Sequence, residues 1–150
     1  MNAFILKRFK VELETTLQDI GTVDNIVISS LDGIAITHAS KDPLSVDSIA
    51  AKSASFLSLG DIWEDDAGKI SCENVIMESK TGAVVVRHMG PKMLLCMTSK
   101  NKATTGLMLH HAKSCAQRLI DMTQSIIEQH ADENSLSEPT KFEMPKTANL

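Results

Sequence analysis

The chain has little with which to do covalent or metal chemistry. Its 150 residues include three cysteines, Cys72, Cys96 and Cys115, odd in number, widely spaced and without a C-x-x-C pair. That excludes a disulfide framework and suits free thiols in a reducing compartment. There is no glycine-rich phosphate loop, no G-x-S-x-G and no H-E-x-x-H, so the usual signatures of nucleotide binding, serine hydrolysis and zinc proteolysis are missing. No apolar run is long enough to cross a bilayer, and Ile5-Leu6 is followed at once by Lys7-Arg8, which leaves no apolar core for a signal peptide. Beyond Lys7-Arg8 and Lys10 there is no basic cluster, and the net charge is −4, which argues against a nucleic-acid footprint. The expectation is one cytoplasmic domain with no cofactor, no metal, no nucleic acid and no membrane among its partners.

What is present centres on Gly82–Ser99. Two apolar runs, Ala83–Val86 and Met93–Met97, flank the turn signal Gly90-Pro91. Both parities are apolar in each run. A strand with one wet face would alternate, so these are predicted to be neighbouring antiparallel strands in the middle of a sheet covered on both faces. The covers come from the rest of the chain. Leu6, Phe9, Leu13, Leu17 and Ile20 mark an amphipathic helix over 2–20, with Gly21 in a C-cap position. Val23–Ser30 and Ile34–Thr37 form a hairpin about Asp32-Gly33. A second helix opens at Asp42-Pro43, with Asp42 or Ser45 as N-cap, and stops at Gly60 or a turn later. Its apolar face is Val46, Ile49, Ala50, Ser53 and Leu57. Lys69–Ser79, more polar, is predicted to be an edge strand. Lys100–Thr105 connects to a helix over Leu107–Gln129, with a seam of Met108, Ala112, Cys115, Leu119, Met122 and Ile126. The domain is expected over 1–130. Residues 131–150 are polar, carry two prolines and have no period, so they are expected to form a disordered tail.

Candidate groups are few. His110 and His111 are adjacent and diverge by about 100° on a helix, so they cannot share a metal as residues four apart could. Cys96 and Cys115 are expected in the core, and Cys72 is the cysteine that would see solvent. Trp63, the only tryptophan, is flanked by Asp61, Glu64, Asp65 and Asp66. These form either a solvated acidic loop or an aromatic anchor offered to a partner. The second helix turns Ser48, Ala51, Ser55 and Ser58 away from its apolar face, with Lys52 the only long residue nearby. An exposed helix face usually carries Glu, Lys or Arg. A face of serine and alanine lets another backbone approach closely, or is simply a weakly charged surface.

The element order, with S-S-L-D-G-I-A-I at 29–36, S-I-A-A-K-S-A-S-F-L-S-L-G at 48–60 and the Gly82–Ser99 block, resembles the Roadblock/dynein light-chain 7 family over roughly residues 3–128. That family includes the bacterial MglB-like regulators of small Ras-like GTPases. The resemblance implies an α+β, Roadblock/profilin-like fold of order αββαβββα. Its five-stranded antiparallel sheet would have the second helix on one face and the terminal helices on the other. It also implies homodimers in which third strands pair edge to edge and second helices meet. The interface would then use Ser48, Ala51, Lys52, Ser55, Ser58, Ser71, Glu73 and Val75, with Trp63 as a partner anchor. Function follows as a non-catalytic dimeric module that binds or regulates a small Ras-like GTPase. The alternatives are a structural adaptor scaffolding a larger complex, or a small-molecule sensor, which the methionine-filled core with few convergent polar groups disfavours. Arg8, Arg87 and Arg118 are all placed within helices or a strand, which leaves none free as an arginine finger.

Overall fold

A computed structural model describes residues 1–67, 70–101 and 105–136. The elements are α1 (Ala3–Asp19), β1 (Asn25–Ser30), β2 (Ala35–Ser40), α2 (Val46–Ala67), β3 (Asn74–Glu78), β4 (Ala83–Met89), β5 (Met93–Ser99) and α3 (Thr105–Leu136). The strands form one antiparallel sheet of order β2-β1-β5-β4-β3. This is the predicted α+β arrangement, with β5 central and β3 at an edge.

Two cores explain why β4 and β5 are apolar at both parities. On one face Val85, Leu95 and Met97 pack with Phe9 and Leu13 of α1 and with Met108, Cys115 and Leu119 of α3. On the other, Val86, Leu94 and Cys96 pack with Ala50, Ala54 and Leu57 of α2. Each fully buried aliphatic side chain contributes about 1.5–3 kcal/mol relative to exposure, so the sheet is held from both sides.

Local signals set most element ends. The Asn2 side chain caps α1 by accepting from the Phe4 N–H at 2.9 Å. Gly33, at φ +84°, makes the tight β1–β2 turn. A Cβ there would lie 3.0 Å from the Ala51 Cα, so the turn lies directly on α2. Among described residues only Gly33 and Gly90 have positive φ. Gly21 therefore follows the Ile20 C-cap without the left-handed geometry that favours glycine.

Three expectations are corrected. α2 neither stops at Gly60 nor ends a turn later; it runs to Ala67, so Asp61, Trp63 and Glu64 lie on a helix and not in a loop. Gly60 is a packing position: a Cβ there would meet the Cys72 Sγ at 2.3 Å and the Val75 Cγ2 at 2.8 Å. Asp61 is tied to the sheet by His88, whose Nε2 lies 3.0 Å from its Oδ1. Next, β3 begins at Asn74, so Ser71 and Glu73 precede it. Residues 70–73 instead wrap the close approach at Gly60, although the Glu73 carbonyl still accepts from the His88 N–H at 3.3 Å. Finally, α3 continues to Leu136, so 131–136 of the expected tail are helical. His130 and Glu133 make an i,i+3 pair at 3.7 Å, and no helix breaker intervenes. The rest of the tail, 137–150, lies outside the described residues, as do Lys69 and 102–104 of the connection before α3.

Candidate interaction surface

On α2 the line farthest from the core runs Ser48, Lys52, Ser55, Leu59 and Ile62, at alternating steps of four and three. Ala51 and Ser58 flank it on the side of the Gly33 turn, and Trp63 on the side of β3. Ala51, Lys52, Ser55 and Ser58 are exposed, and Ser48 is half-buried. The serines are better suited to being covered than their polarity suggests. Ser55 and Ser58 donate their hydroxyls back to the carbonyls of Ala51 and Ala54, at 3.0 and 2.9 Å. A partner lying over them strands no donor.

Beside this line α2 and the chain leading into β3 enclose an open groove of about 780 Å³. Phe56, Leu59, Gly60 and Trp63 form one wall; Ile70, Cys72, Val75, Ile76 and Met77 contribute to the other. Exposed apolar residues gather along it: Leu59 and Trp63 are 61% exposed, Ile62 50% and Ile70 55%, while Ile76 and Met77 are each 43%; others, such as Ile34 at 68% and Phe4 at 55%, lie elsewhere on the surface. Exposed apolar residues clustered in this way mark interaction sites.

Trp63 thus stands on the groove wall, as an anchor would. Ser71 and Glu73 lie near its other wall, whereas Val75 turns inward and packs under α2. Sequence reasoning missed Leu59, Ile62, Ile70, Ile76 and Met77. Leu59 and Ile62 carry the serine stripe onward at the same spacing, a signal that becomes readable once the helix is continued past Gly60.

The chemistry near the groove is quiet. Burial pushes the Cys72 thiol up, and the neighbouring Asp61 and Glu64 carboxylates push it further, the opposite of what activates a thiolate. Cys96 and Cys115 are buried, each raised to about 11 chiefly by burial. His111 is half-buried and His110 exposed. Arg8 lies over the Phe4 ring at 5.8 Å, and the Nε of Arg118 donates to Glu12 at 2.5 Å. Arg87 donates to the Asn74 Oδ1 at 2.6 Å. All three are in α1, α3 and β4, away from the outer line of α2. No group of three or more potential metal ligands is gathered among the described residues, nor is any of their helices long and apolar enough to cross a membrane.

Fold and surface together define a sheet-and-helix domain that presents one small-residue helix and one strand edge side by side. Residues 10–99 match the Roadblock/LC7 domain, and the chain belongs to that family. Among solved structures it is similar to an MglB with tetrameric arrangement, at 19% identity and TM-score 0.73, over 83% of this chain and 94% of that one. The gliding protein MglB of Thermus thermophilus matches at 17% identity and TM-score 0.73, over 83% and 95%. Profilin II of Acanthamoeba castellanii matches at 18% identity and TM-score 0.57, over 77% and 98%. At these identities the likeness is one of fold. No curated protein matches the chain.

Proposed function

We infer that this protein is a non-catalytic module that self-associates through the outer face of α2 and the edge of β3, and that the paired surface binds and regulates a small Ras-like GTPase. The observation that carries the reading is the coincidence of three features: apolar exposure at Leu59, Trp63, Ile76 and Met77, self-satisfied serines on the same helix, and an open strand edge beside them. Membership of the Roadblock/LC7 family, with MglB structures among the relatives in fold, supports the GTPase as partner. Any effect on hydrolysis would come from holding the GTPase's switch segments, because the arginines are engaged elsewhere.

The test is a pull-down with a small Ras-like GTPase loaded with GTP or GDP. Regulation requires tighter binding of one state, since only differential affinity couples the module to the nucleotide; the GTP form is expected to bind better. Equal binding in both states would reduce the protein to a structural adaptor, the second reading, which the same surface supports without a nucleotide switch.

A further inference from the structure

A second opening lies under the other flank of α2. Cross-strand pairing sets Val27, Cys96, Val86 and Val75 in one row over β1, β5, β4 and β3, and α2 covers that row. Two residues along each strand, on the same face, the next row is Asn25, Thr98, Val84 and Met77. Between α2 and this row is a cavity of about 260 Å³. Ile49, Ser53 and Phe56 line it from α2, and Cys96 is among the sheet residues that line it. The Ser53 hydroxyl donates back to the Ile49 carbonyl at 2.7 Å, so the helix side of the cavity behaves as an apolar wall. From Thr98 across Val84 to Met77 is two strand spacings, about 10 Å, which at that volume makes the space a narrow slot. It has room for about eight groups of water or methylene size. Phe56 and Met77 line both the slot and the Trp63 groove, and so form the partition between them.

Two donors stand at the rim. Asn25 gives its Nδ2 to the Thr98 Oγ1 at 2.8 Å, which leaves the half-buried Thr98 hydroxyl its own proton to donate. Lys52 lines the slot while remaining exposed, as a lysine does when its stem lies along apolar surface and its ammonium reaches water. Among the described residues no carboxylate pairs with it.

We propose that this slot binds a straight-chain carboxylate of about eight carbons, with its chain between α2 and the sheet and its carboxylate on the Lys52 ammonium and the Thr98 hydroxyl. The site is separate from the Trp63 groove and does not depend on the self-association reading. An apolar slot with a few polar groups at one place is the usual form of a small-molecule site. A narrow slot suits an unbranched chain, and a carboxylate is the head group that matches an ammonium and a hydroxyl together. An amine would repel the ammonium, and a neutral head would forgo the charge.

The test is a two-dimensional amide NMR titration of the full chain with butanoate, hexanoate, octanoate and decanoate. The Lys52, Val84 and Thr98 signals should move with each acid while the Trp63 indole N–H stays in place. Affinity should rise about fourfold for each added methylene up to octanoate, and gain little beyond it once the slot is full. Octanoate should bind a few-fold more tightly than 1-octanol, since an exposed ion pair adds up to about fivefold. Lys52→Met should erase that preference without weakening 1-octanol. Val84→Phe, which fills the slot, should block every member of the series; if that variant fails to fold, the chain-length series on the wild type still decides. Movement of the Trp63 indole signal in place of the slot signals would overturn the proposal. So would the absence of any shift at about 10 mM octanoate, a concentration sufficient for a ligand of this size. The mass by light scattering should hold through the titration. A fall in mass as octanoate binds would assign the slot to a second copy's side chains and overturn it as a ligand site.

Discussion

Two glycines carry weight at the scale of single residues. A Cβ at Gly82 would lie 2.3 Å from the Ser99 carbonyl oxygen and 3.2 Å from the Lys100 Cα, both backbone atoms that cannot step aside. Gly82→Ala should therefore cost about 1–3 kcal/mol, read as a drop of several degrees in the thermal midpoint. Gly60→Ala meets side-chain atoms of Cys72 and Val75 instead, so it should cost less and loosen the contact between α2 and the approach to β3. Two histidines give the fold a pH dependence. His38 is lowered from 6.5 by burial and then by Lys10; His111 is lowered by burial, His110 and Arg118, against a smaller opposing pull from Asp19. A depressed folded value means the unfolded chain binds the proton more readily. The stability these groups contribute is thus fully present above about pH 6.5 and is lost as pH falls through their folded values. Denaturant midpoints measured from pH 7.5 downward should decline, and His111→Gln should flatten part of that decline.

At the scale of elements, the sheet was legible because its burial is periodic. Both parities apolar in β4 and β5 implied two covers, and the polar admixture around β3 implied an edge. The end of α2 was not legible. A glycine followed by an acidic run resembles a stop, and nothing local shows that the missing Cβ of Gly60 makes room for Cys72 and Val75. An apparent stop at Gly60 also hides the Leu59–Ile62 continuation of the serine stripe and makes the stretch around Trp63 resemble a loop, although both lie within α2. Ile76 and Met77 were hidden differently: apolar residues in a strand suggest a core, and their exposure depends on which neighbours the edge lacks. The continuation of α3 through His130–Leu136 is exposed throughout, and Ile126, at 3% exposure, is its last buried residue. A chain ending at Gln129 should accordingly melt within a few degrees of the full chain, because the residues of α3 that are removed make no core contact. A large fall would show that the region beyond Gln129 docks on the domain.

At the scale of the whole molecule, the fold is a sheet stabilised from both sides that leaves one helix face and one edge unfinished. Covering both with a second copy would bury Leu59, Ile62 and Trp63 and pair the outward groups of β3, which removes the liabilities a lone copy would expose to aggregation. It would also bring two α2 helices to one side of a joined sheet, giving a partner a surface that neither copy has alone. The most direct measurement of this account is the solution mass by light scattering at micromolar concentration, for the wild type and for Leu59→Asp. Leu59 is 61% exposed, so the substitution leaves folding intact while placing a charge in the centre of the proposed contact. The account predicts twice the chain mass for the wild type and a shift toward the single-chain mass for Leu59→Asp, with unchanged circular dichroism. A monomeric wild type, or a Leu59→Asp variant that stays fully dimeric, would contradict it.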